Sequence, residues 1–195
     1  MTLPPNHVPV CLVTGTTGTD KRAFIHALAA AQPAAERWAV LDNDDGNMTR
    51  EAPVAQLTVA AISGCACCTG TVALQVGIVQ LIRKARPQRL IIVAAGAAEP
   101  AALEHALRQE ALARGITVTH RLCVVEVQLL AVLPPSAQDL LQRQISAADH
   151  VVALDAAATA TLCGAGIAGV IQMEDAIRFV LAAPASSVSS RRIAS

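Results

Sequence analysis

Short apolar runs separated by amphipathic stretches set the pattern of this chain. His7 to Val13 is apolar and ends in Thr14-Gly15, which predicts a buried first strand, with Pro9 tolerated only near its beginning. Lys21 to Ala31 predicts a helix, stopped by Pro33. Trp38 to Leu41 predicts a second short strand, followed by the polar turn Asp42-Asn43-Asp44-Asp45-Gly46. Leu57 to Ile62 predicts a third strand, ending at Ser63-Gly64.

Further along, Val72, Val76, Val79 and Ile82 recur at helical steps, and Leu74, Ile78 and Leu81 widen that face. The spacing predicts a helix with a broad buried stripe, ended by Pro87. Leu90 to Val93 is a continuous apolar strand of the kind found inside a parallel sheet. Pro100 opens another helix, with Gly115 as its stop. Thr117 to Val127 reads as a strand, Gln138 to Ala148 as a helix and Val151 to Leu154 as a strand. Val170-Ile171 is the last predicted strand and Glu174 to Leu181 the last helix. Strands alternating with helices imply right-handed crossovers and a mainly parallel sheet covered on both faces. The predicted fold is a three-layer α/β/α domain with a mainly parallel sheet over residues 1–183. The Ser-rich stretch 184–195 is expected to be a disordered tail.

Composition narrows the class. With 195 residues and a hydrophobic fraction of 53%, the chain can bury a sizeable core. Aromatic residues make up only 2%, so that core is built from Val, Leu, Ile and Ala. Fifteen basic residues balance fifteen acidic ones, which argues against a nucleic-acid partner. No uncharged apolar run is long enough to span a membrane, and Met1 to Pro9 lacks the layout of a signal peptide. The expected location is therefore the cytoplasm, where thiols stay reduced.

Two segments carry candidate chemistry. Gly15-Thr16-Thr17-Gly18-Thr19-Asp20-Lys21-Arg22 has the spacing of a phosphate-binding loop between a strand and a helix. Gly15, Gly18, Thr19, Lys21 and Arg22 are its candidate nucleotide-binding residues. Asp20 replaces the second signature glycine, and Arg22 replaces the hydroxyl residue that holds magnesium. A carboxylate about 4 Å from a phosphate charge costs roughly 4 kcal/mol at an effective dielectric near 20. A loop that only keeps the fold, weak phosphate or nucleotide binding, and efficient hydrolysis are the three readings it leaves open.

Gly64-Cys65-Ala66-Cys67-Cys68 holds three of the six cysteines. Cys65, Cys67 and Cys68 are the candidate metal ligands, with zinc as the expected ion, bound transiently and needing a fourth ligand from elsewhere. His26, His105, His120, His150, Cys11, Cys123, Cys163 and Asp44 are the alternatives for that fourth place. A Cys65/Cys68 redox dithiol and a turn packed with small thiols compete with the metal reading. Cys11, Cys123 and Cys163 fall in apolar runs and read as core. His105, His120 and His150 read as surface or helix-end residues, and Asp42, Asp44 and Asp45 as a solvated acidic turn.

On these residues the chain resembles the CobW-like branch of the metallochaperone P-loop GTPases, a family that includes the urease and hydrogenase nickel-insertion GTPases. The resemblance covers residues 8 to 180, the GTPase domain, and implies a P-loop NTPase-like fold for the single domain 1–183. Gly64 to Cys68 matches the family's Gly-Cys-x-Cys-Cys motif. Asn43-Asp44-Asp45-Gly46 resembles its Asn-Glu-Phe-Gly segment. Leu90 to Pro100 resembles the segment ending Glu-Thr-Ser/Thr-Gly-x-Ala-Asp-Pro, and Gln144 to Asp149 resembles Gln-Ile-x-x-Ala-Asp. Val93, Ala94 and Ala95 stand at that family's acidic and hydroxyl positions. Leu154-Asp155-Ala156-Ala157 stands where Asn-Lys-x-Asp would read guanine, and the Glu126 region resembles a Val-Val-Asp strand. The resemblance implies GTP hydrolysis coupled to delivery of zinc or cobalt to a client metalloprotein. The departures imply weakened hydrolysis, a pseudo-GTPase in which GTP and magnesium are secondary; the alternatives are a functional GTPase that couples nucleotide to metal delivery and a non-catalytic interaction partner in a metal-handling complex. No membrane partner is expected, and a homodimer is compatible with the composition.

Overall fold

In the computed structural model, the described residues are 7–17, 19–44, 57–62, 71–109, 112 and 115–185. Among the described residues, seven strands form one sheet: β1 (Val8–Thr14), β2 (Trp38–Asp42), β3 (Leu57–Ala61), β4 (Arg89–Val93), β5 (Ile116–Val125), β6 (His150–Ala153) and β7 (Val170–Gln172). Their order is β3-β2-β4-β1-β5-β6-β7, and every pairing is parallel. The predicted three-layer fold is therefore the observed one.

Alternation along each strand builds two cores, because successive side chains leave a strand on opposite faces. Val10 and Leu12 join Leu41, Leu90 and Ile92 beneath α2 (Thr71–Ala85) and α3 (Pro100–Arg108). Cys11 and Val13 join Val40, Ile91, Val93 and Val124 beneath α1 (Lys21–Ala30) and the last helix (Met173–Ala182). A smaller cluster packs Cys123, Val125, Val151 and Ala153 against Leu141 and Leu162. Leu141 comes from the helix Pro135–Ala147 and Leu162 from the helix Ala156–Gly164. A single turn, Val127–Leu130, follows β5. In chain order these four helices are α4 (Val127–Leu130), α5 (Pro135–Ala147), α6 (Ala156–Gly164) and α7 (Met173–Ala182).

Several expectations need correction. The buried face of α2 is Leu74, Ile78, Val79, Leu81 and Ile82. Val72 and Val76 are 68% and 45% exposed, so the predicted stripe is rotated. β5 stops at Val125, because Val127 starts α4. α6 has no counterpart in the sequence pattern, and its start is fixed by Asp155, whose carboxylate accepts the Ala158 N–H. Cys11 and Cys123 are core as expected, but Cys163 is exposed on α6.

β5 carries one irregularity. Val10 pairs with Val118, yet Cys11 pairs with His120, so Thr119 is an extra residue opposite β1. The Thr119 hydroxyl donates to the Val10 carbonyl and lies 2.9 Å from His120 Nδ1. The register shift buries His120, which corrects its reading as a surface residue.

Candidate functional site

In an open parallel sheet, ligand crevices lie beyond the carboxyl ends of the strands, where the connections diverge. Here β1 is central, with β4 and β2 on one side and β5 on the other. The loop leaving β1 begins at Gly15, whose φ is +149°. A Cβ there would stand 2.6 Å from the Val124 carbonyl oxygen, so only glycine fits. Thr16 and Thr19 are buried in the loop, their hydroxyls 3.2 Å apart.

The second signature position behaves differently. Asp20 has φ −75°, a conformation open to any residue, and caps α1 by accepting the Ala23 N–H at 3.0 Å. Its own N–H donates to Glu126 at the end of β5, 3.2 Å away. The glycine has thus been replaced by a helix cap, with a negative charge at the positive end of α1.

Lys21 is 1% exposed. Its Nζ donates to the Gly15 and Thr16 carbonyls at 2.9 and 3.4 Å and pairs with Asp44 at 3.0 Å. The other Asp44 oxygen accepts the Gly96 N–H at 3.0 Å. Asp42 is buried and accepts the Asp44 N–H. The burial of Asp42 corrects its reading as part of a solvated turn, whereas Asp44 stays solvent-exposed and its carboxylate ties Lys21 to Gly96. Gly96 is required on steric grounds, since a Cβ would approach the Thr17 nitrogen to 2.3 Å. Gln144, buried on α5, holds the Gly96 and Ala98 carbonyls through Nε2.

Gly96 and Glu126 are the two contributors that local spacing does not single out. The topology offers the signal, because both follow strands that flank β1. Gly15, Thr19 and Lys21 are neighbours in the loop, and Arg22 follows on the first turn of α1. Gly18, Asp45, Cys65, Cys67 and Cys68 lie outside the described residues.

Among the described residues, no group of three His, Cys, Asp or Glu side chains could hold a metal ion. Burial pushes the Cys11 thiol up to about 12 and the Cys123 thiol up to about 11. Metal ligation needs the thiolate, so these two cysteines are poor ligands. His120 has its pKa lowered, mainly by burial and then by the nearby Arg89 charge.

Magnesium fits poorly with the positions the family would use for it. Val93 is buried among Ile91, Cys11 and Val13, and Ala94 and Ala95 follow it. Arg22 brings a guanidinium in place of a hydroxyl. None of these supplies a hard oxygen ligand.

Residues 9–162 match the family described as CobW/HypB/UreG, nucleotide-binding domain. The chain belongs to this family. A relative, the zinc chaperone YeiR of Escherichia coli (strain K12), is 30% identical over 146 residues. That match covers 73% of the chain and 44% of YeiR. The solved structure of a Zn(II)-bound YjiA GTPase from E. coli superposes with a TM-score of 0.59 at 16% identity. A Zn(II)-bound triple mutant of YjiA, with one glutamate and two cysteines changed to alanine, gives 0.57 at 16%. Both comparisons cover 86% of this chain and 57% of YjiA, and at that identity they establish the fold. The chain thus spans about half the length of the proteins it matches.

Proposed function

We propose that this chain is a zinc-handling accessory protein of the metallochaperone type, with weakened GTP hydrolysis. The observation that carries the reading is the Gly64-Cys65-Ala66-Cys67-Cys68 segment in a chain 30% identical to a zinc chaperone. Three thiolates suit a soft divalent ion, and an open fourth position leaves room for a receiving protein's ligand to join the ion. Zinc is the cargo, and its receiver is a client metalloprotein in the cytoplasm. Arg22, Val93 and Ala157 support the weakened hydrolysis, because each stands where the family places a magnesium ligand or a base-reading carboxylate.

Zinc titration of the reduced protein against a chromophoric chelator tests the cargo role. The parent is expected to compete for one zinc ion, and the Cys65/Cys67/Cys68 triple alanine variant to lose that competition. Equal zinc affinity in the two proteins rejects the proposal.

A second reading, a working GTPase that couples nucleotide to metal delivery, is favoured by Gly15 and Lys21. The strained loop start and its buried lysine keep the family's places. Turnover of GTP with magnesium decides between the two. Release of phosphate at rates of about 1 per second, typical of working enzymes, supports the second reading and ends the first's account of hydrolysis.

A further inference from the structure

Three carboxylates from three different parts of the chain converge on the phosphate loop, and each takes a donor or a positive charge. Asp20 holds the Ala23 N–H at the start of α1. Glu126, at the end of β5, holds the Asp20 N–H. Asp44, just beyond β2, spans the Lys21 ammonium and the Gly96 N–H, 3.0 Å from each. Lys21 and Thr19 turn their own N–H groups inward, to the Thr19 and Thr16 carbonyls.

We propose that this phosphate loop is self-occupied. The chain's own carboxylates stand where the oxygens of a polyphosphate would be received, and they exclude it. The inference rests on the reading of weakened nucleotide handling above and goes further by naming the groups responsible. A phosphate chain would have to displace Asp44 from a lysine that is 1% exposed, and would then sit beside Asp20 and Glu126 as well. The donors cannot serve two anions at once, and the displaced charges stay close by.

Removing charge without removing shape should reverse the exclusion. Asp20→Asn keeps a good helix cap, because asparagine caps as well as aspartate. Asp44→Asn keeps an oxygen for the Gly96 N–H but frees the Lys21 charge. Inorganic tripolyphosphate is the probe, because it tests the loop without a base, and calorimetric titration reads its affinity. The double variant is expected to bind at least tenfold tighter than the parent. If the double variant does not fold, the single variants replace it, each expected to gain at least threefold. Smaller gains in folded variants overturn the proposal, and so does a parent that already saturates at micromolar tripolyphosphate. GTP turnover by the parent with magnesium, run in parallel, tells the two ideas apart. Turnover far below about 1 per second with no polyphosphate gain removes the self-occupied loop alone, and turnover at about 1 per second removes the weakened-hydrolysis reading and the self-occupied loop with it.

Discussion

Arg89 lies 5.4 Å from the centre of the Trp38 ring and donates to the Val180 and Ala183 carbonyls at 2.7 and 2.8 Å. One buried guanidinium at the start of β4 therefore holds the last turn of α7, 91 residues away along the chain. Glu36 completes the arrangement, 3.6 Å from Arg89 Nε and accepting the Trp38 indole N–H at 2.6 Å.

Arg89→Met keeps most of the hydrocarbon stem but leaves two carbonyls at a helix end without donors and Glu36 without its cation. The expected loss is about 2–3 kcal/mol. For a domain of this size that lowers the midpoint by roughly 5–10 °C, read by thermal melting.

His120 makes the fold sensitive to acid. Its pKa is lowered in the folded state, so the unfolded chain binds the proton more tightly. Arg89 and His150 oppose its protonation, while Asp149 and the Phe179 carbonyl favour it, and burial outweighs them. The contribution is fully present above the unfolded value of about 6.5 and is lost as pH falls through the lowered folded value. Urea unfolding at pH 7.5 and pH 5.5 should give a fall in stability that is smaller in His120→Gln.

The glycines separate into two kinds. Gly15→Ala puts a Cβ at φ +149°, 2.6 Å from a carbonyl oxygen, and is expected to cost about 1–3 kcal/mol. Gly164, at the end of α6, has nothing within 4 Å of an added Cβ. Gly164→Ala is expected to stabilise by roughly 0.4–1 kcal/mol, because it narrows the unfolded ensemble. Chemical denaturation of the two variants beside the parent reads both changes.

Thiol labelling should follow burial. In a background with Cys65, Cys67 and Cys68 changed to alanine, a charged disulfide reagent should modify Cys163 quickly under native conditions. Cys11 and Cys123 should react only after unfolding, because both are buried and held protonated. Native labelling of all three at similar rates would contradict the packing.

The strands were legible because most are continuous apolar runs bounded by turn residues, as buried parallel strands must be. α2 is apolar almost all round, so its period fits Val72 and Val76 as well as Leu74 and Ile78. Only the sheet beneath decides which side is covered. α6 is mostly alanine and threonine with one buried residue, Leu162, and so it carries no face for a periodic reading to find. The loop from Gly15 to Lys21 was legible as a motif. Its partners were not, because Glu126 lies 106 residues from Asp20 and Gly96 lies 52 from Asp44. Contacts at such separations follow from strand order, which local spacing does not contain.

Strand order also has a consequence for biosynthesis. β1 precedes both of its sheet neighbours in the chain and lies in the middle of the sheet, where Val10 pairs with Leu90 on one side and Val118 on the other. Such distant pairings slow folding, because the intervening chain must be ordered before they close. On the ribosome one edge of this ribbon waits for residues up to Val93 and the other for residues up to Val125, each open to other chains until then. Its yield in a cell should therefore respond strongly to chaperone supply and growth temperature.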